Sequence, residues 1–269
     1  MASLKIVTWN INSVRLRAPN VAAFVEAEKP DIVCLQETKC RDDEFPSAAF
    51  EAAGLPHLAV RGQGGGHHGV AIASRLPLEA VEAPDLCREG HARVVAVRVG
   101  GFEVHNIYLP AGGDIPDPDE NPKFAHKLDF VERLGGAYTA SRGVGAPKIL
   151  VGDLNIAPHP NDVWSHKQLL KIVSHTPVET EGLESARDSA GFHDLARMAV
   201  PEDQRLYSWW SYRSKDWAAS NRGRRLDHIW ADDASRPLAD LDSYRIHLAW
   251  RGGHKPSDHA PISINMNTP

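Results

Sequence analysis

Cysteine is scarce in this chain: Cys34, Cys40 and Cys87 are the only three among 269 residues. An odd number without CxxC spacing supports no disulfide framework, so reduced, packed thiols in a cytosol-like compartment are expected. Neither an H-E-x-x-H element nor a clustered Cys/His spacing points to a zinc site. Long apolar runs are lacking as well. No stretch approaches the roughly 18 uninterrupted apolar residues of a membrane span. The start, Met1-Ala2-Ser3-Leu4-Lys5-Ile6, shows no basic segment followed by an apolar one, so a cytoplasmic protein without membrane association is expected. No Ser/Gly linker or low-complexity tract divides the chain, which predicts one domain over residues 1–269. Positive charge is not in excess: 30 Lys and Arg against 35 Asp and Glu give a formal net charge of −5. That balance argues against a protein that coats nucleic acid by bulk electrostatics.

What is present is a core and a pattern. With 42% hydrophobic residues and seven Trp the chain can bury a substantial interior. Apolar or β-branched runs near 4–9, 31–36, 69–74, 93–99, 102–108, 148–152, 225–230, 242–247 and 261–265 read as strands. Gly100-Gly101 between two of them forces an antiparallel hairpin. Two segments read as helices. One starts at Pro19 and carries Val21, Phe24 and Val25 on one face; the other starts at Asn121-Pro122 with Asn as cap and spaces Phe124, Leu128, Val131, Leu134 and Tyr138 helically. The mixture predicts an α/β protein of packed mixed sheets with helices outside. No long apolar surface helix suggests an obligate oligomer, and a monomer is expected.

Several strands end in acids or amides. Gly152-Asp153-Leu154-Asn155 follows an apolar run, and strand alternation would aim Asp153 and Asn155 at one point; a turn is the competing reading of the same residues. Val7-Thr8-Trp9-Asn10, Val33-Cys34-Leu35-Gln36-Glu37, Val104-His105-Asn106-Ile107-Tyr108 and Arg225-Leu226-Asp227 share the form, and Ser257-Asp258-His259 follows later. Meeting at one edge, these groups would suit a hard divalent cation and a phosphate ester. Asp153 would serve as base for a water, Asn155 would hold that water or a phosphate oxygen, and Asp227 could fix the tautomer of His259. From Arg205 to Arg225, five Arg and one Lys face a single acid, Asp216, interleaved with Tyr207, Trp209, Trp210, Tyr212 and Trp217. That is the composition of a surface that tracks a phosphate backbone and stacks bases.

Two other patterns carry no such chemistry. Gly64-Gly65-Gly66-His67-His68-Gly69 satisfies G-x-G-x-x-G, but Val70-Ala71-Ile72-Ala73 after it reads as a strand where dinucleotide binding needs a helix start, so no nucleotide cofactor is expected. Asp117-Pro118-Asp119-Glu120-Asn121 has Pro122 where a calcium loop requires Gly.

Seven segments in order, WNINSVR (9–15), LQETK (35–39), NIYLP (106–110), GDLNIAP (152–158), YSWWSYRSK (207–215), NRGRRLDHIW (221–230) and KPSDHAPI (255–262), resemble the exonuclease/endonuclease/phosphatase superfamily. Within it they are most similar to the exonuclease III type of abasic-site DNA endonucleases. The resemblance implies a four-layer α/β sandwich with two central mixed sheets flanked by helices. It implies a Mg2+- or Mn2+-dependent phosphodiesterase that cleaves double-stranded DNA 5′ to an abasic site, with 3′-to-5′ exonuclease and 3′-end trimming. Asn10, Glu37 and Asp258 would lie at the metal. Tyr108, Asp153, Asn155, Asp227 and His259 would be catalytic. Arg213, Lys215, Asn221 and Arg222 would hold DNA, and Trp209 and Leu226 would wall an abasic pocket; strand alternation allows only one of Trp209 and Trp210 to face it, and Trp209 is favoured. A small phosphate ester or phospholipid headgroup is the alternative substrate class. Two departures stand out: Ala111 where relatives often carry Asn or Gln, and Arg224 where some place an apolar pocket residue.

Overall fold

The computed structural model describes residues 3–269, which form fourteen strands and seven α-helices. The strands are β1 (Ser3–Asn10), β2 (Ile32–Gln36), β3 (His57–Arg61), β4 (Val70–Ser74), β5 (Glu79–Val81), β6 (Val94–Val99), β7 (Phe102–Tyr108), β8 (Lys148–Asp153), β9 (Phe192–Asp194), β10 (Trp209–Trp210), β11 (Gly223–Arg224), β12 (Asp227–Asp232), β13 (Ala239–Ile246) and β14 (Ile262–Asn267). The helices are α1 (Val14–Glu28), α2 (Ser47–Ala52), α3 (Pro122–Ala140), α4 (His166–Leu169), α5 (Pro177–Ser189), α6 (Leu195–Ala199) and α7 (Trp217–Ser220).

Two six-stranded sheets, ordered β13-β14-β1-β2-β4-β3 and β5-β6-β7-β8-β12-β9, face each other. Each is mixed: β1 with β2 and β7 with β8 are parallel, and the remaining pairs are antiparallel. Strand alternation makes four layers. Ile6, Ile32, Cys34, Ile72 and Ile264 of the first sheet meet Val97, Phe102, Val104, Ile149, Val151 and Ile229 of the second. The opposite parity of the first sheet, Val7, Trp9, Val33 and Leu35, is covered by Val21, Phe24 and Val25 of α1 and Phe50 of α2. That of the second, Ile107, Leu150 and Trp230, is covered by Phe130, Val131 and Leu134 of α3 and Leu183 of α5. The α/β sandwich is the one expected from the sequence. No described helix is long and apolar enough to cross a membrane.

Details differ from the sequence reading in physically simple ways. Helix α1 begins at Val14, not Pro19, because Ser13 and Val14 N–H donate to the carbonyls of Glu37 and Thr38, which removes the need for a local cap. Pro19 lies inside it. Helix α3 starts as read, with the Asn121 side chain accepting from Lys123 N, although Leu128 is only half-buried. Helix α5 has a capping box of Thr176 and Glu179 that the sequence reading passed over. Gly100 and Gly101, at φ 57° and 90°, close the β6–β7 hairpin.

Candidate active site

The inter-sheet parity that is apolar through the core turns polar at one edge. Along β1, Leu4 and Ile6 give way to Thr8 and Asn10; along β7, Phe102 and Val104 give way to Asn106 and Tyr108; along β8, Ile149 and Val151 give way to Asp153. All five polar residues are buried. The two sheets are joined there by hydrogen bonds: Gln36 Nε2 donates to Asn106 Oδ1 at 2.6 Å, and Asn106 Nδ2 donates to the carbonyls of Leu35 and Ala71. Asp227 and the Asp258-His259 pair reach the same edge from the other direction. Asp227 starts β12 instead of ending a strand, because β12 runs antiparallel to β8 and pairs Asp227 with Asp153. His259 precedes β14, which is antiparallel to β1.

Asn10, Glu37, Tyr108 and Asp153 form one hydrogen-bonded unit. Asn10 Nδ2 donates to Glu37 Oε1 at 2.9 Å and to Asp153 Oδ2 at 2.8 Å, and Tyr108 OH donates to Glu37 Oε1 at 2.8 Å. Lys39 Nζ lies 2.8 Å from Glu37 Oε2. Burial works against the Glu37 charge, but Lys39, Asn10 and His259 outweigh it and hold this carboxyl below its ordinary range. Burial, then Glu37 and Asp153, push the Tyr108 phenol well above its ordinary range, so it stays protonated.

The second unit is a carboxylate–imidazole–carboxylate series. His259 Nδ1 is 2.8 Å from Asp227 Oδ2, and His259 Nε2 is 3.7 Å from Asp153 Oδ2. Burial disfavours the imidazolium, but Asp227 and then Asp153 reverse the balance and raise His259. Asp153 is raised too, by burial first and with Asp227 adding to it. A group raised in this way is suited to exchanging a proton near neutrality. Ser208 Oγ accepts from the Leu226 and Asp227 N–H groups, and Ser257 Oγ donates to Asn10 O, so side chains fix both approaching loops.

Asp153 and Asn155 do not share a face by strand alternation. Strand β8 ends at Asp153; Asn155 sits at φ 52°, and its N–H donates to Asp153 Oδ1 at 2.9 Å, which is an Asx turn. Asn155 Nδ2 donates to Leu109 O, leaving Oδ1 for the cavity that Asn155 lines. Gly152, at φ 145°, allows the approach: a Cβ there would lie 1.8 Å from Ile107 O. Turn and site are the same feature.

The cavity, about 630 Å³, is lined by the polar residues Glu37, Asn155, Asp258 and His259. Trp164, Trp209 and Leu226, which cluster together, also line it, as do Arg213, Arg222 and Arg224. Trp209 Nε1 donates to Asp258 Oδ2 at 3.0 Å and Asn12 Nδ2 to Asp258 Oδ1 at 3.1 Å. Both tryptophans line the cavity, against the expectation that only one would: Trp209 is half-buried beside Leu226, and Trp210 is buried against Tyr207 and Ala260. Among the residues singled out from sequence, Asn10, Tyr108, Asp153 and Asp227 are buried and outside the cavity lining, and Lys215 and Asn221 do not line it either. Lys215 is exposed on the neighbouring surface, and Asn221 Oδ1 accepts from Trp210 Nε1. The sequence reading missed Trp164 and the segment Ile172-Val173-Ser174, which carry no periodic pattern yet line the cavity. It also missed Lys127, a buried cation on α3 whose Nζ donates to Asn155 O at 2.8 Å and pairs with Glu179. Arg224 extends over Trp209 at 5.4 Å, with NH1 donating to Val173 O and Ser174 Oγ.

Residues 7–259 match the Endonuclease/Exonuclease/phosphatase family. The chain belongs to this family. It is similar to an exodeoxyribonuclease III from Haemophilus influenzae, 31% identical over 272 residues covering 96% of this chain and 98% of the relative. Among solved structures it is similar to an AP endonuclease from Archaeoglobus fulgidus, with 31% identity and a TM-score of 0.88 over 97% of this chain and 98% of that one. A 3′-5′ exonuclease from Neisseria meningitidis shows the same identity and TM-score over 98% of this chain and 100% of its own.

The family depends on a divalent metal. Here the carboxylates Glu37, Asp153, Asp227 and Asp258 outnumber the cations directly paired with them, Lys39 and His259. A site of hard oxygens with surplus negative charge fits such an ion. Asp153, Asp227 and His259 converge within 4.8 Å, but the 2.8 Å between His259 and Asp227 is a hydrogen bond with no room for a metal between them. The oxygens of Glu37, Asn10 and Asp258 are the better candidates.

Proposed function

We propose that this protein is a DNA-repair nuclease of the exodeoxyribonuclease III type, hydrolysing the phosphodiester 5′ to an abasic site in double-stranded DNA and trimming 3′ ends by the same chemistry. The observation that carries the reading is the Asp227–His259–Asp153 series beside a cavity that His259 lines together with Trp164, Trp209 and Leu226. The polar lining suits a phosphate, and the apolar lining suits a sugar without its base. Asp153 takes the proton of the attacking water, with Asn155 beside it. His259, held in orientation and charge by Asp227, meets a phosphate oxygen, and the Tyr108 hydroxyl faces the same group. Mg2+, held by Glu37, Asn10 and Asp258, would neutralise charge on the phosphate in flight. Arg213 and Arg222 hold the DNA backbone at the rim, and Arg222 is steadied by stacking at 4.7 Å on Trp164.

The test is cleavage of an abasic duplex, a recessed 3′ end and a 3′-phosphate, with Mg2+ and with chelator. Nicking of the abasic duplex that needs Mg2+ and is lost in Asp153→Asn supports the reading; equal behaviour of the two proteins sinks it. Arg213→Ala with Arg222→Ala separates DNA from a small phosphate ester. Each lost phosphate contact should lower the salt slope of DNA binding by about 0.9, and an unchanged slope would move the substrate away from DNA.

A further inference from the structure

Outside the catalytic cavity, one group of side chains has no role in the reaction. Glu89 and His91 lie in the irregular segment 82–93 between β5 and β6, and His126 lies on α3. Their ligand atoms lie within 4.8 Å of one another. Glu89 Oε2 is 3.2 Å from His126 Nδ1 and 3.4 Å from His91 Nδ1. In a tetrahedral site with bonds of about 2.0–2.1 Å, neighbouring ligand atoms are separated by about 3.3 Å. Both measured separations match that edge.

The hydrogen bonding around the group points the same way. His126 Nε2 is 3.4 Å from Cys87 Sγ, a contact that occupies this nitrogen and turns Nδ1 toward Glu89. His91 Nδ1 is buried and makes no hydrogen bond. Two imidazole nitrogens thus face one carboxylate oxygen.

We infer that Glu89, His91 and His126 form a second metal site, for a zinc-class transition ion with water as fourth ligand. Two nitrogens and one oxygen favour Zn2+ over Mg2+, which prefers an all-oxygen shell. No clustered Cys/His spacing announces it because the ligands come from a loop and a helix 35 positions apart in the chain (His91 to His126). The site ties segment 82–93 to α3. It also bears on the Gly64–Gly69 loop, whose His68 stacks on His91 at 4.2 Å and stands 6.4 Å from the Tyr108 ring. The metal therefore braces the flank of the candidate active site without entering it.

Cobalt reports the site directly, because tetrahedral Co2+ with nitrogen ligands absorbs far more strongly in the visible than octahedral Co2+ on oxygens. The full-length protein, dialysed against chelator and titrated with Co2+, should develop the intense band and lose it on addition of one equivalent of Zn2+. The band should persist in Glu37→Gln and disappear in His91→Ala and in Glu89→Gln, two partly exposed positions whose replacement leaves the core intact. Absence of the band in the wild-type protein overturns the site. So does a band that survives His91→Ala, or one that vanishes in Glu37→Gln and therefore belongs to the catalytic cavity.

Discussion

His259 Nδ1 stands 2.8 Å from Asp227 Oδ2, while Asp227 Oδ1, also buried, has no partner. Among the described residues, the only side-chain hydrogen bond of this aspartate is therefore spent on the imidazole. Asp227→Asn keeps the size and removes the charge that raises His259. The expected outcome is a fall in kcat of roughly 10²- to 10⁴-fold, the range for a disabled acid–base group. KM for DNA and the thermal midpoint should change little. Steady-state kinetics on an abasic duplex decide it, and an unchanged kcat would remove the relay from the mechanism.

Trp209 touches both halves of the site, with its ring against Leu226 and its Nε1 donating to Asp258. Trp209→Phe keeps a ring and deletes the donor. Loss of a bond that orients Asp258, a carboxylate proposed to hold the metal, should raise the Mg2+ concentration for half-maximal activity by about 10-fold or more, with near-normal kcat at saturating Mg2+. Leu226→Ala should do the reverse, leaving the Mg2+ requirement alone and lowering abasic cleavage relative to 3′-end trimming. Mg2+ titrations of both variants on both substrates separate the two roles.

Much of this was legible from sequence because strand parity is rigid. Once Ile6 and Val104 face the partner sheet, Asn10 and Tyr108 must follow on the same face. Chain direction is not legible in this way, which is why Asp227 read as a strand end and proved to be a strand start. Cavity residues from irregular segments, Trp164 and Val173 among them, have no period to betray them. Lys215, read into a DNA surface from composition and resemblance, is exposed but outside the cavity lining, since composition does not say which side of a loop a lysine occupies.

Lys127 and Glu179 are both fully buried, and their contacts brace two cavity segments. Lys127 Nζ holds the carbonyls of Asn155 and Ala111, and Glu179 accepts from Ser174 N, Thr176 N and Thr176 Oγ1. Removing one partner strands a buried charge, so Lys127→Met should cost about 3–5 kcal/mol in urea unfolding. Adding Glu179→Gln to it should restore part of that loss, since no charge is then left unpaired. A double variant less stable than Lys127→Met would contradict the ion-pair account.

Acid should destabilise the fold well before its carboxylates titrate. His228 is lowered to about 3, by burial and then by Arg225, and His105 to about 4, by burial with Lys148 adding to it. His228 Nδ1 faces Arg225 NH1 and its Nε2 faces the Ile156 carbonyl, a pair of partners that suits the neutral ring donating from Nε2. Both folded values lie below the unfolded value near 6.5, so the rings are neutral in the fold and take up a proton on unfolding. Their stabilisation is complete above about pH 6.5 and is lost as pH falls toward the folded values, at up to about 1.4 kcal/mol per pH unit for each ring. His228→Gln should lower stability at neutral pH, through the exchanged hydrogen bonds, yet flatten its pH dependence between about pH 6 and pH 4. Urea midpoints measured across that interval check the sign: a variant as steeply pH-dependent as the wild type would show that His228 is protonated in the folded protein.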